Sequence, residues 1–314
     1  MTENIIYGPV PSRRLGLSLG VDLVPYKVCS YNCVYCQIGP TKKTTVDRKP
    51  YVSSEDILSQ LFHRLKEGIS PDYITLAGSG EPTLNSEIKR IIHRIKEQTD
   101  IPVTVLTNGS LLSDETVRND ICDADVVLPS LDAADESVFN QINRPHPDIL
   151  FERMVDGLIE FRKIYAKQIW LEIFLIDGIN ATETYMASFK RRIRDMQPDK
   201  IHLNTAVRPT AESSIHAVSQ AKLQHFCKIL GDKAEVIAPF KRTDLKEGTN
   251  VIQKDLLNML ARRPCTLEDL SAGLGLHKNE ILKYLDAILA ERLIKIENIN
   301  GKSFYKKSGN KSMD

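Results

Sequence analysis

Six short runs of Val, Ile and Leu, separated by longer amphipathic stretches, limit what this chain can fold into. The runs are Leu17–Val24, Tyr73–Ala77, Val103–Thr107, Val126–Ser130, Ile169–Ile176 and Ile201–Val207. Short, nearly continuous apolar runs suit parallel strands covered on both faces. Between them apolar residues recur at helical spacing. Ile57, Leu58, Leu61, Phe62 and Leu65 form one such stripe, behind the N-cap signal Ser53-Ser-Glu-Asp56. Ile88, Ile91, Ile92 and Ile95 form the next. Further helices fit Ser113–Asp120, Phe151–Tyr165, Thr184–Met196 and Ala217–Leu230. Six strand–helix units in succession predict an α/β fold whose parallel sheet is closed or part-closed as a barrel. A strand at Ala234–Ala238 extends its edge.

The chain of 314 residues is long enough for a large domain and a small one. The spacing gives a core over residues 1–240, a polar linker over 241–250 and a compact unit over 251–314. In the last, a helix runs from Val251 to Ala261. Thr266-Leu-Glu-Asp269 reads as a capping box opening a short helix, and Gly273-Leu-Gly275 as a turn. A third helix spans His277–Ala290. Leu293–Glu297 and Ser303–Lys306 form a hairpin about Asn300-Gly301. That order predicts a winged helix-turn-helix.

Lys and Arg number 42 against 41 Asp and Glu, so whole-chain charge does not point to a polyanionic partner. Residues 251–314 carry a modest basic excess, including Lys278, Lys283, Lys295, Lys302, Lys306 and Lys307. The apolar runs are too short to span a bilayer, and Met1-Thr-Glu-Asn opens no signal peptide. A cytoplasmic setting with no membrane partner is the expectation. Thiols stay reduced there, which favours a metal or catalytic use of clustered cysteines over disulfides.

In a parallel α/β fold, ligands bind beyond the C-terminal ends of the strands. The loop after the first strand holds Cys29-Ser-Tyr-Asn-Cys33-Val-Tyr-Cys36, a C-x3-C-x2-C pattern with no fourth cysteine nearby. Structural zinc and most iron–sulfur sites take four protein ligands, so three thiols leave a coordination position open. After the next strands come Gly78-Ser-Gly-Glu81, Asn108-Gly109 and Ser130-Leu-Asp132. Glu172 and Asn204 interrupt the last two runs. These polar residues share the rim of the cysteines. Each has a plainer use. The triplet can be a zinc site, the glycines an ordinary turn, and Ser130 and Asp132 helix caps. Glu172 can pair with an arginine such as Arg208, and Arg13 and Arg14 can be a solvated pair.

Taken together, the cysteine triplet with Tyr35, Gly78–Glu81 and Thr107-Asn-Gly109 resemble the radical S-adenosylmethionine (SAM) superfamily over roughly residues 5–240. The chain is similar to the molybdenum-cofactor cyclisation branch. It is more similar to iron–sulfur oxidoreductases related to wyosine-base synthesis on tRNA, through Tyr7–Gly16 and Asn143-Arg-Pro145. The resemblance implies a partial (β/α)6 barrel resembling the TIM barrel. It implies that Cys29, Cys33 and Cys36 hold a [4Fe–4S] cluster whose open iron binds SAM. Reductive cleavage of SAM then gives a 5′-deoxyadenosyl radical that abstracts hydrogen from a substrate. It further implies cofactor contacts from Tyr35, Gly78, Gly80, Glu81, Asn108, Ser130, Asp132 and Glu172. An external donor of flavodoxin or ferredoxin type would supply the electron. Ser79, between the two glycines, departs from the usual Gly-Gly-Glu-Pro. The expected substrate is RNA, tRNA first, presented by the winged unit. The alternatives are a peptide or protein docked by that unit, or a DNA-binding redox regulator that uses the cluster as a sensor.

Overall fold

The computed structural model describes residues 5–207, 210–237, 252–254, 256–257, 259–260, 264–274, 276–299 and 302–308. The polar linker over 241–250, Arg208 and the Asn300-Gly301 turn lie outside the described residues. Eight strands form one sheet in chain order: β1 (Ile6–Ser12), β2 (Gly16–Asp22), β3 (Tyr73–Ala77), β4 (Val103–Thr107), β5 (Val126–Pro129), β6 (Gln168–Leu175), β7 (Lys200–Thr205) and β8 (Ala234–Val236). From β2 to β8 all neighbours are parallel. The helices between them are α1 (Ser54–Lys66), α2 (Ile88–Gln98), α3 (Glu115–Ile121), α4 (Glu136–Ile142), α5 (Phe151–Ile164), α6 (Glu183–Met196) and α7 (Gln220–Leu230). Side chains of Ser53, Asp114, Asp135, Thr182 and Ser219 cap five of them. Each cap contributes about 1 kcal/mol.

Alternate strand residues face the helices. Leu19, Val21, Ile74, Leu76, Val103, Val105, Leu171 and Leu203 join helix residues such as Ile57, Ile91, Leu158 and Phe189 in one core. Fully burying each such side chain contributes about 1.5–3 kcal/mol. On the inner face, Leu15 packs with Val126, Leu128 and Trp170. Leu15 precedes β2, whereas the others lie on β5 and β6. The sheet therefore curls until its first strands approach its sixth.

Three elements were not foreseen, one of them a single 3-10 turn at Pro82–Leu84. β1 pairs antiparallel with β2, although Pro9 and Pro11 argue against a strand. An edge position and a register shift between Tyr7 and Val10 accommodate them. The seven-residue α4 buries only Phe139 and Ile142, too few to form a readable stripe.

The C-terminal residues form a second core around Leu256, Leu260, Leu270, Ile281, Leu285 and Tyr305. Described residues between 252 and 260 are helical. Then come α8 (Leu267–Leu274), α9 (Lys278–Ala290) and an antiparallel pair, β9 (Ile294–Ile299) and β10 (Lys302–Lys307). The capping box is present: Thr266 N–H donates to Asp269 Oδ2 at 2.9 Å, and Asp269 N–H to Thr266 Oγ1 at 3.2 Å. No helix among the described residues is long and apolar enough to cross a membrane.

Helix α5 lies directly on the segment that follows β4. A Cβ at Gly157 would stand 2.4 Å from the Ser113 nitrogen and 2.5 Å from the Leu112 carbonyl carbon. Alanine raises helix propensity by about 1 kcal/mol, but overpacking against backbone costs about 1–3 kcal/mol. Gly157→Ala is expected to lower the urea midpoint. A raised midpoint would show that α5 does not rest on this segment.

Candidate functional site

The cysteine loop begins where β2 ends and lies on the turn after β3. Lys27 N–H donates to the Ser79 carbonyl at 2.6 Å, and Glu81 N–H to the Val28 carbonyl at 3.0 Å. The glycines make this approach possible. A Cβ on Gly80 would sit 1.9 Å from the Val28 oxygen. On Gly78, at φ 123°, it would overlap Asp22 Oδ1. Asp22 is buried and accepts from Ser79 N–H and Oγ–H, both at 2.9 Å. Ser79, the departure from the Gly-Gly-Glu-Pro pattern, thus anchors the turn to β2.

Residues 142–146 hold the other side of the loop. Val34 N–H donates to the Ile142 carbonyl at 2.9 Å, Asn32 N–H to Asn143 at 3.0 Å, and His146 N–H to Ser30 at 2.9 Å. Tyr31 and Pro145 form an antiparallel bridge. The Asn143-Arg-Pro145 segment is therefore a second support of the cysteine loop.

Cys29, Cys33 and Cys36 are free, half-buried thiols, and each sulfur faces an N–H donor. Tyr31 N–H and Asn108 Nδ2 point to Cys29 Sγ at 3.5 and 3.6 Å. Asn143 Nδ2 points to Cys33 Sγ at 3.6 Å, and Lys27 Nζ to Cys36 Sγ at 3.1 Å. Burial pushes the Cys29 thiol up to about 12, aided by the charge of Glu81. Burial also raises Cys33, with Cys29 and Cys36 adding to the effect. Bare thiolates are disfavoured here, whereas a bound cation inverts that preference. Among the described residues no three His, Cys, Asp or Glu gather around a single-ion position. Soft thiols on one loop, each with a hydrogen-bond donor, fit an iron–sulfur cluster.

The predicted rim residues are brought together, several of them turned inward. Glu81 is 1% exposed. Its Oε1 accepts from Thr83 N–H (3.1 Å), Thr83 Oγ1 (2.6 Å) and Thr107 Oγ1 (2.7 Å), and its Oε2 from Asn108 N–H (2.7 Å). Both oxygens are engaged within the chain, so Glu81 ties the turn to the end of β4. Burial raises its pKa against these bonds. Asn108 Nδ2 also reaches Ser30 Oγ at 2.8 Å. Asp132, likewise buried and raised by burial, accepts from the Tyr35 hydroxyl, from Asn143 Nδ2 at 2.9 Å and from Phe174 N–H at 2.8 Å. Tyr35 stacks on Phe174 at 4.0 Å. Asp132 thus joins the cysteine loop to β6. Ser130 is half-buried and bridges to Glu172. Glu172 pairs with Arg14 and accepts from Asn204 Nδ2 at 3.2 Å. The guanidinium beside Glu172 thus comes from the β1–β2 turn.

Sequence reasoning passed over four contributors. Asp22 was legible as a charge closing an apolar run, and Lys27 as a cation beside the triplet. Asn143 entered only through its tripeptide. His277 carried no local signal, yet its Nε2 lies 2.5 Å from Asp22 Oδ2 and its ring stacks on Tyr7 at 4.1 Å. The C-terminal unit also meets both flanks of the loop. The Tyr26 hydroxyl lies 2.9 Å from Glu268 Oε1, and Ile38 packs against the C-terminal core.

Residues 23–188 match the family model described as the Radical SAM superfamily, more than half of the chain. A Methanocaldococcus jannaschii protein named UPF0026 protein is 34% identical over 97% of this chain and 96% of its own length. A Brachyspira hyodysenteriae protein named GTPase Obg is 36% identical over 96% of this chain, which spans only 45% of that relative. GTP 3′,8-cyclase from Clostridium acetobutylicum is 29% identical over 49% of this chain and 46% of its own. Among solved structures, TYW1 with a lysine-pyruvate adduct bound is similar at a TM-score of 0.52 and 18% identity. That alignment covers 68% of this chain and 72% of the other, and the likeness is one of fold.

Two outcomes follow from the geometry. Gly80→Ala must lift the cysteine loop off the β3 turn, so iron bound after anaerobic reconstitution should fall severalfold while far-UV circular dichroism holds. Full iron loading would show that the close approach is dispensable. His202, on β7, is buried with Nδ1 unpaired, and burial, aided by Arg14, depresses its pKa to about 4 from 6.5. Its stabilising contribution is complete above about pH 6.5 and is lost as pH falls through about 4. Denaturant midpoints should drop over that window, and His202→Gln should flatten the slope. An unchanged slope would place the titration elsewhere.

Proposed function

This chain belongs to the radical SAM superfamily, whose cofactors are a [4Fe–4S] cluster and SAM, and we propose that Cys29, Cys33 and Cys36 hold the cluster. When bound, these cofactors supply an electron and a sulfonium that together yield a 5′-deoxyadenosyl radical able to take hydrogen from a substrate. The observation that carries the assignment is the set of N–H donors aimed at the three sulfurs on a loop pinned by a glycine turn.

The remaining roles follow from position. Gly78 and Gly80 let the turn backbone approach SAM, and Glu81 fixes that turn and Asn108 from behind. Asn108 and Ser130 line the cofactor side of the rim. Tyr35 and Asp132 lock the loop onto β6. Glu172, paired with Arg14 and accepting from Asn204, offers a further cofactor contact on the same rim. The sheet is a partial (β/α)6 barrel over residues 1–240, and residues 251–314, beyond the linker at 241–250, are a winged helix-turn-helix. The electron comes from a flavodoxin or ferredoxin type of donor in a reducing cytoplasm.

For the substrate, RNA is the lead reading, supported by exposed Lys302 and Lys307 on β10. A peptide or protein substrate is the second. It is favoured by the way α9 presents His277 to Asp22 and stacks it on Tyr7, turning toward the barrel a helix that would otherwise meet nucleic acid.

The anaerobically reconstituted, dithionite-reduced chain is expected to convert SAM to 5′-deoxyadenosine, read by mass spectrometry. Absence of that product would overturn the enzyme reading. Cys33→Ala should lose cluster absorbance and cleavage together, and retained cleavage would refute the ligand set. Binding that weakens steeply with salt would support RNA, and salt-insensitive peptide binding the second reading.

A further inference from the structure

We propose that Lys27 sets the reduction potential of the cluster, a role that rests on the assignment of Cys36 as a ligand. Lys27 Nζ lies 3.1 Å from Cys36 Sγ. The same charge is felt at Cys29, where it opposes the upward push of burial. The backbone is arranged for this contact. Val28 N–H closes a turn onto the Pro25 carbonyl at 3.1 Å, and Lys27 stands third in it at φ 62°. Third turn positions with positive φ favour Gly or Asn. A left-handed lysine costs on the order of 1 kcal/mol and persists where its surroundings fix it. Here Lys27 N–H is fixed by the Ser79 carbonyl at 2.6 Å, so the glycine turn that carries the cysteine loop also aims the ammonium.

The electrostatic consequence has a definite sign. Reduction adds one electron to a centre already negative from its thiolates. A cation at hydrogen-bond distance stabilises the reduced state more than the oxidised one, in surroundings where charges are weakly screened. Lys27 therefore raises the potential and brings the cluster within reach of a one-electron donor. Asn108 and Asn143 give Cys29 and Cys33 neutral donors, so Cys36 is the sulfur that the ammonium meets at hydrogen-bond distance.

The test is a dithionite titration of the reconstituted full chain without substrate, monitored by electron paramagnetic resonance, alongside iron and sulfide content. Lys27→Met is expected to make reduction at least tenfold less favourable, a shift of about 59 mV to lower potential for one electron. Lys27→Arg should keep most of the wild-type potential, and Lys27→Gln should follow Lys27→Met. Equal potentials in the loaded wild-type, Met and Gln proteins would overturn the inference, as would an Arg variant shifted as far as Gln. If Lys27→Met takes up no iron, the Gln and Arg comparison decides. A wild-type chain that binds no cluster would instead sink the ligand assignment.

Discussion

The site depends on one close approach of backbone to backbone. The cysteine loop rests on the turn after β3 because Gly80 has no side chain to hold the Val28 carbonyl away. That contact lets Glu81 N–H reach the carbonyl and Ser79 receive Lys27 N–H. The sulfurs and the turn are thereby fixed to each other before any cofactor is present. Metal and cofactor sites gain affinity from such preorganisation, since little ordering remains to be done on binding.

Three buried carboxyls extend this constraint. Asp22 joins the turn to β2, Glu81 joins it to β4, and Asp132 joins the cysteine loop to β6. Unpaired, each buried carboxylate would cost several kcal/mol, so each is surrounded by N–H and O–H donors. These acids act as structural ties between strand ends. They hold the three sulfurs, Asn108, Ser130 and the turn backbone together on one rim. Through His277, Asp22 also connects the C-terminal unit to the turn after β3.

The parallel sheet was legible because β3, β4 and β5 are short runs without a charged residue and because the longer helices, such as α1 and α2, carry a clear stripe. Strand β1 escaped because its prolines contradict the strand pattern, and α4 because two buried residues make no period. Among site residues, the cysteines and glycines were readable from spacing. Glu81 and Asp132 were readable as polar residues at strand ends, while the direction of their side chains was not. Local sequence places a carboxyl at a rim, but burial and the donors around it decide whether it faces a ligand or the chain. Arg14 illustrates the same limit, since its partner Glu172 lies on a strand far along the chain.

By itself, the sequence determined the alternation of strands and helices, the position of the cysteine triplet at a strand end and the glycines beside it. These follow from residue type and spacing, which act over a few positions. Tertiary structure alone decided that Asn143 supports Cys33, that Lys27 meets Cys36 and that His277 reaches Asp22. Each contact joins atoms whose separation is set by the curl of the sheet and the fold of a turn. No local pattern encodes such a distance, because it is the sum of many packing choices along the intervening chain.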